Sequence, residues 1–401
     1  MDARGVRDIA VVGICKHAGK TTALGRLLAD ADALGRRVAV LSVGVDGERF
    51  DRLLGVAKPQ VFAPRGALVA TAVGAQDASA ASVRWLAPAG FGSPLGDVWY
   101  GEVLAPGPVV LAGVRQLAHL RAARAWLRAA GAQHVLVDGA LSRAVGVHPD
   151  VCDGVVLAAG AAAGPLAEVV RQTRGWVERL TLPACEGMAV LDALSAAPAG
   201  GVYAVRNGAR RDVRDGAQAD VRRDVLDGVR DGVRDGVRDG VRDGPQAGVR
   251  RGVRDGARDG VQAGLRRDVR EGGRDGAGPD VCGPAPDLAA LLSDPTVDRS
   301  HRLFFFSGSL TDGDLLTLAT RDGPVTAVVR TPLHLFAGEA ARARFLRAGH
   351  SICALTRSAL VSLAVNPATP FGPPLDRQAL HAALRPLVPP GTPLWDACDD
   401  V

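Results

Sequence analysis

Aromatic side chains are scarce, at 4% of 401 residues, so any core must be built from Val, Leu and Ala. Hydrophobic residues still reach 47%, enough for a buried interior. Aliphatic packing of this kind suits α/β proteins, whose buried parallel strands read as short Val/Leu/Ala runs. Long apolar runs are missing too: none approaches the roughly 20 residues that span a bilayer. The amino-terminal MDARGVRDIAVVG lacks the basic region and extended apolar core of a secretory signal. A cytoplasmic protein with no membrane partner is expected. The six cysteines, at 15, 152, 185, 282, 353 and 398, form no C-x-x-C pair and no metal knuckle, and reduced thiols are expected. The net charge of +5 is spread thinly, with an Asp close to most Arg residues. Clustered basic residues with interleaved aromatics are absent, which argues against nucleic acid as a partner.

What is present reads as β-loop-α-β at the start of the chain. DIAVV (8–12) is a short buried strand, a glycine-containing loop follows, and Leu24, Leu27, Leu28 and Ala31 recur at helical spacing from about Thr21 to Leu34. RRVAVLS (37–43) is a second strand, so a parallel sheet is expected to begin here. From Pro64 to Gly113 the pattern is less regular, with Gly/Pro turns and a hairpin or strand pair in VLAPGPVVLAGV. A periodic helix at 115–130 stops at Gly131. Strands follow at His134–Val137 and Gly154–Ala159, then a helix at 165–180. Strands near 302–306, 324–329 and 359–366 alternate with helices near 312–320, 337–348 and 376–385. The whole reads as a mostly parallel sheet with helices on both faces.

Composition shifts sharply in the middle. Residues 205–283 are drawn mostly from Val, Arg, Asp, Gly and Gln, and 229–244 is VRDG repeated without interruption. A period of four matches neither a helix face nor a strand face, and a glycine in every unit penalises helix. So little apolar surface cannot offset the entropy of ordering the chain, so a disordered low-complexity insertion is expected. It divides the chain into 1–204, 205–283 and 284–401, the last an α/β half that packs on the first sheet or extends it.

The strongest chemical signal is Gly13-Ile-Cys-Lys-His-Ala-Gly19-Lys20-Thr21-Thr22, between a strand and a helix. In that setting backbone N–H groups of the loop and of the helix start converge on phosphate oxygens. Gly19 permits close approach, Lys20 places an ammonium against the β/γ-phosphates, and Thr21 offers a hydroxyl to Mg²⁺. Gly13 stands one place earlier than in the commoner spacing. Gly13, Lys16 and Thr22 complete the candidate nucleotide contacts. His17 reads as an ordinary loop residue and Cys15 as an inert thiol, although a helix amino terminus can lower a thiol pKa.

Asp138, closing the strand VLVDG, is a second candidate metal ligand. A third carboxylate, Asp46 in SVGVDGE, is placed to bind the metal or orient an attacking water at the carboxyl edge of the sheet, with Glu48 behind it. Asn366 ends an apolar strand, where its amide can read a nucleotide base or simply close a turn.

The spacing G-x-x-x-x-x-G-K-T-T resembles dethiobiotin synthetase and the SIMIBI class of P-loop NTPases, and Val137-Asp138-Gly139-Ala140 is similar to that family's Val-Glu-Gly-Ala. A closer likeness is to P-loop proteins associated with adenosylcobalamin-dependent lysine 5,6-aminomutase and named as a reactivase subunit. GICKHAGKTT, SVGVDGERFD, SPLGDV, VVLAG, VLVDGALSRAVGVHPDVCDGVVLAAGA and LAVNPATPFG carry it. The resemblance implies ATP and Mg²⁺ as cofactors, ATP hydrolysis, and a nucleotide-driven chaperone acting on a mutase. Segments 44–55 and 139–148 are the expected switch loops, and a homodimer is possible. The rival is a synthetase-like enzyme that phosphorylates a small carboxylate, with Arg49, Arg52 or Arg143 facing the substrate.

Overall fold

The structure is a computed structural model that describes residues 5–46, 60–114, 116–139, 147–186, 192, 194–206 and 280–398, with the backbone alone at 45, 46 and 280. The expected switch segments therefore lie mostly outside the described residues, as do Glu48, Arg49, Arg52, Arg143 and 207–279 of the repeat region.

The chain is α/β, with a large mixed sheet and helices on both faces. β1 (Asp8–Gly13) and β2 (Val38–Val43) are buried along their whole lengths, as their unbroken apolar runs require. Between them α1 (Lys20–Ala33) buries Ala23, Leu24, Leu27, Leu28 and Ala31. β3 (Val45–Asp46), β4 (Val61–Ala63) and β5 (Leu68–Ala72) follow, then a long hairpin of β6 (Ser82–Ser93) and β7 (Gly96–Ala105). β8 (Gly107–Val109), β9 (Leu111–Ala112), α2 (Leu117–Ala129), β10 (His134–Gly139), β11 (Gly154–Gly160) and α3 (Leu166–Leu180) complete the first part.

Nine strands form one sheet in the order β18-β17-β11-β1-β10-β2-β5-β7-β6, where β17 is Ala359–Asn366 and β18 is Leu394–Asp396. From β18 to β5 every pairing is parallel; β5-β7 and β7-β6 are antiparallel. α1 packs on one face through Ile9, Val11, Val40, Leu136 and Val156. The other face carries α2, α3 and a late helix, Arg377–Leu384, over Val12, Leu41, Val137, Leu157 and Val365.

The irregular stretch between Pro64 and Gly113 is more ordered than its sequence suggests. Its Gly and Pro residues obscure a strand alternation that is visible in the structure, where β6 alternates between exposed and half-buried positions. Phe91 stacks on His119 of α2 at 4.4 Å between ring centroids, and Tyr100 stacks on Trp126 at 4.1 Å. Two aromatic stacks thus join the hairpin to α2.

At the amino-terminal edge of the sheet the DVCDG segment acts as a buckle. Asp153 accepts the backbone N–H groups of Arg7 and Asp8 at 3.0 Å each, and Arg124 of α2 bridges buried Asp8 to Asp153. These carboxylates tie β1, β11 and α2 together at the end of the sheet opposite the Gly13–Gly19 loop.

A second sheet holds β13 (Asp280–Ala285), β12 (Val202–Arg206), β14 (His301–Phe306), β15 (Thr326–Val329) and β16 (Ser351–Ala354), in that order. One face is covered by α4 (Leu288–Leu292), α5 (Asp312–Leu318) and α6 (Glu339–Arg347), with Phe304, Phe306 and Phe345 at its centre; the helix Arg377–Leu384 is then α7. The carboxyl-terminal half therefore does two things: it builds this sheet, and it sends β17 and β18 back into the first. The boundaries drawn at 204 and 284 need correction. Val202, Tyr203, Ala204 and Val205 pair antiparallel with β14, and β13 runs from 280 to 285. The apolar side chains of Val202, Ala204 and Val205 are buried in the second sheet, which offsets the entropy of ordering this margin.

Candidate functional site

The carboxyl ends of the parallel strands lie on one edge of the sheet, where ligands bind in open α/β folds. α1 leaves β1 over one face, whereas α3 leaves the neighbouring β11 over the other. Their connections diverge at the ends of these two strands, and the Gly13–Gly19 loop lies there.

The loop's shape follows from a few close approaches. Ile14 N–H donates to the Ala158 carbonyl of β11 at 2.9 Å, continuing the strand pairing. His17 adopts a left-handed φ of 61° and Gly19 one of 97°. A Cβ on Gly19 would lie 2.6 Å from Cβ of Asn366, and one on Gly13 would lie 3.0 Å from the Cys15 carbonyl oxygen. Gly160, ending β11, is pressed against the carbonyls of Ala18 and Asn366, which a Cβ would meet at 2.7 and 2.9 Å. Three strand ends thus grip one loop.

Gly19 is the N-cap of α1 and offers no side chain to the first-turn N–H groups, and that turn contains no acidic residue. Helix starts of this kind carry partial positive charge and unsatisfied donors, which suits an anion. Lys20 opens the helix and pairs with Asp138 Oδ1. Asp138 is fully buried, in register with Val11 of β1 and Ser42 of β2. An ion pair this deep pays a large desolvation cost for each charge, so removal of either partner leaves the other poorly compensated. Two of the chain's three lysines, Lys16 and Lys20, fall in this single stretch. Lys16 is exposed, and Thr21 and Thr22 are half-buried on the first turn of α1.

The other expected residues fall as follows. Asp46 lies on β3, paired with Leu111 of β9, and its side chain is outside the described residues. Cys15 is half-buried, and burial raises its thiol pKa, which keeps it protonated. Asn366 closes β17, and its Oδ1 accepts from Ala368 N–H at 3.1 Å and from the Cys398 thiol at 3.0 Å. The segment beyond it reaches the loop as well, since the Phe371 ring meets His17 edge-on at 5.4 Å.

Sequence reasoning missed Gly113, Gly160, Phe371 and Cys398. Gly113 pins the β9–α2 connection onto the end of β2, where a Cβ would lie 1.6 Å from the Ser42 carbonyl oxygen. Phe371 stood in the stretch LAVNPATPFG, yet no local signal ties a phenylalanine to a loop some 350 residues earlier.

Among the described residues no group of three or more His, Cys, Asp or Glu side chains is arranged to hold a metal ion. Mg²⁺ often takes only one or two protein ligands beside substrate oxygens and water. No helix among those residues is long and apolar enough to cross a membrane. Comparison of the chain with models of known protein families, with curated proteins and with solved structures gives no match.

Proposed function

We propose that this chain is a P-loop protein that binds ATP with Mg²⁺ at the Gly13–Thr22 loop, hydrolyses it, and acts as a nucleotide-driven switch on a protein partner. The observation that carries this reading is the Lys20–Asp138 pair beneath an uncapped, glycine-opened helix start. The residues fit the group. Close packing at Gly13, Gly19 and Gly160 fixes the loop between the strand ends, and the donor set is one ammonium, one hydroxyl and one buried carboxylate.

When bound, the nucleotide supplies the phosphoryl group and the anionic charge, and Mg²⁺ the positive charge beside it. Lys20 would exchange its carboxylate partner for phosphate oxygens. Asp138, released from that pair, would then hold the metal together with the Thr21 hydroxyl. Lys16 and Thr22 would add contacts at the loop and helix start, and Asp46 would orient water. This exchange of partners at Asp138 is a two-state element at the root of the 139–148 connection, as a switch requires. The partner suggested by the resembling stretches is an adenosylcobalamin-dependent mutase, with release of spent cobalamin as the work performed.

Titration with ATP and Mg²⁺ tests the reading. Lys20→Ala should weaken binding by about tenfold or more; the chain should keep its native circular dichroism but lose thermal stability, because buried Asp138 is stripped of its partner. Equal affinity in the two proteins would sink the phosphate-loop assignment.

A further inference from the structure

We infer that Cys398 is a positioning residue for this site: its thiol, arriving from β18, holds the Asn366 side chain so that the amide NH₂ faces the Gly13–Gly19 loop. The inference rests on the ATP-binding reading for its functional consequence, although its geometry is independent of it.

Asn366 Oδ1 meets two donors, the Ala368 backbone N–H at 3.1 Å and the Cys398 thiol at 3.0 Å. Only an oxygen can accept from both, so the NH₂ end is turned the other way. There it faces Gly19: a Cβ on that glycine would lie 2.8 Å from Nδ2. Asn366 is 7% exposed, so the amide has little freedom to choose another arrangement.

The two donors differ in what they are attached to. Ala368 lies two residues on, in the Asx turn that Asn366 itself begins, and moves with it. Cys398 lies 32 residues on and is anchored to the sheet. Ala397 N–H donates to the Val365 carbonyl at 2.8 Å, and Cys398 N–H donates to Asp396 Oδ1 at 2.7 Å. The thiol therefore ties the end of β17 to the end of β18. Without it the amide is held by its own turn alone, and the residue packed against Gly19 loosens.

Serine keeps an O–H donor at this position, valine keeps the approximate volume without a donor, and alanine keeps neither. A neutral hydrogen bond contributes about 1 kcal/mol net, which corresponds to roughly threefold to tenfold in affinity. In titrations of a fluorescent N-methylanthraniloyl ATP with Mg²⁺, Cys398→Ala and Cys398→Val should each bind that much more weakly than the native chain. Cys398→Ser should stay within about twofold of it. Lys20→Ala is the parallel control: if it binds as well as the native protein, the ATP reading fails and the Cys398 result is read from hydrogen exchange instead. Amide exchange needs no ligand. Peptides covering 13–22 and 363–375 should exchange faster in the Ala and Val variants and at the native rate in the Ser variant. Native exchange in all three variants overturns the inference. So does equal ATP affinity across all three in a chain whose Lys20 control behaves as expected.

Discussion

Single glycines separate steric demand from conformational demand in this chain. Gly113 needs no unusual φ, yet a Cβ there would overlap the Ser42 carbonyl at 1.6 Å, a backbone atom that cannot step aside. Gly113→Ala should destabilise the fold by about 3 kcal/mol or more, since the β9–α2 connection must lift off β2. Gly25, inside α1, has open space around the same position. Gly25→Ala should stabilise by about 0.5–1 kcal/mol, because glycine in a helix interior costs that much. Urea unfolding of the two variants reads both signs, and a mild effect at Gly113 would contradict the packing described. This contrast also marks what was legible at the residue scale. The turn at Gly19-Lys20-Thr21 into α1 was legible because its signal is local and ordered along the chain. Gly113, Gly160 and Cys398 act on partners 71, 142 and 32 residues away, and no spacing rule reaches so far.

Elements were legible wherever one periodicity ran without interruption. The helix expected near 115–130 spans Leu117–Ala129, and the strand expected at 359–366 is Ala359–Asn366. Failures came where turn residues sit inside strands. Pro88, Gly90 and Gly92 are all within β6, which tolerates them as the last strand of its sheet, with register shifts at Trp85/Ala87 and Pro88/Gly92. The borders of the repeat follow the same logic. Gly201 packs against Pro284, and Val202 against Gly283, so β12 and β13 run side by side in opposite directions. The chain thus departs after Arg206 and resumes at Asp280 on adjacent strands. Replacing 207–279 with a two-residue Asn-Gly connection should leave a β-hairpin in place of the insertion. Circular dichroism and ATP titration should match the native chain; loss of the fold would mean that the removed residues contribute to the sheet.

Across the whole molecule, the α/β class and the helices on both faces could be read from alternating strand and helix patterns. The division into two sheets could not. β17 reads like any other buried strand, and nothing in ALVSLAVN says that it leaves the neighbours of β14, β15 and β16 to pair with β11. Long-range pairing is chosen by surfaces that form only when the core assembles. Around His148, Arg121 of α2 and Arg330 and His334 of the β15–α6 connection act with one sign. Burial first, then Arg121, His334 and Arg330, lower the pKa of His148 to about 4, and burial also lowers that of His334. Asp150, 3.6 Å from His148, is the acid facing them, and it is paired to Arg121. A histidine whose folded pKa lies below its unfolded value near 6.5 binds more protons when unfolded. Its contribution is complete above pH 6.5 and is lost as pH falls toward 4. Urea midpoints should therefore drop between pH 6.5 and 4, and His148→Gln should flatten that slope. An unchanged slope in the variant would assign the acid sensitivity elsewhere.

The neighbouring departure and return points at Arg206 and Asp280 carry a consequence for how this chain can vary. A tandem repeat can vary in its number of units, and most proteins suffer when their length drifts. Here two strands that already touch set the distance to be closed, and it stays the same however many units lie between them. For a flexible connection between fixed ends, each doubling in length adds only about 0.6 kcal/mol of closure entropy. The position should therefore act as a permissive port: chains with different numbers of VRDG units, or with an unrelated guest domain between these strands, should keep the same two sheets.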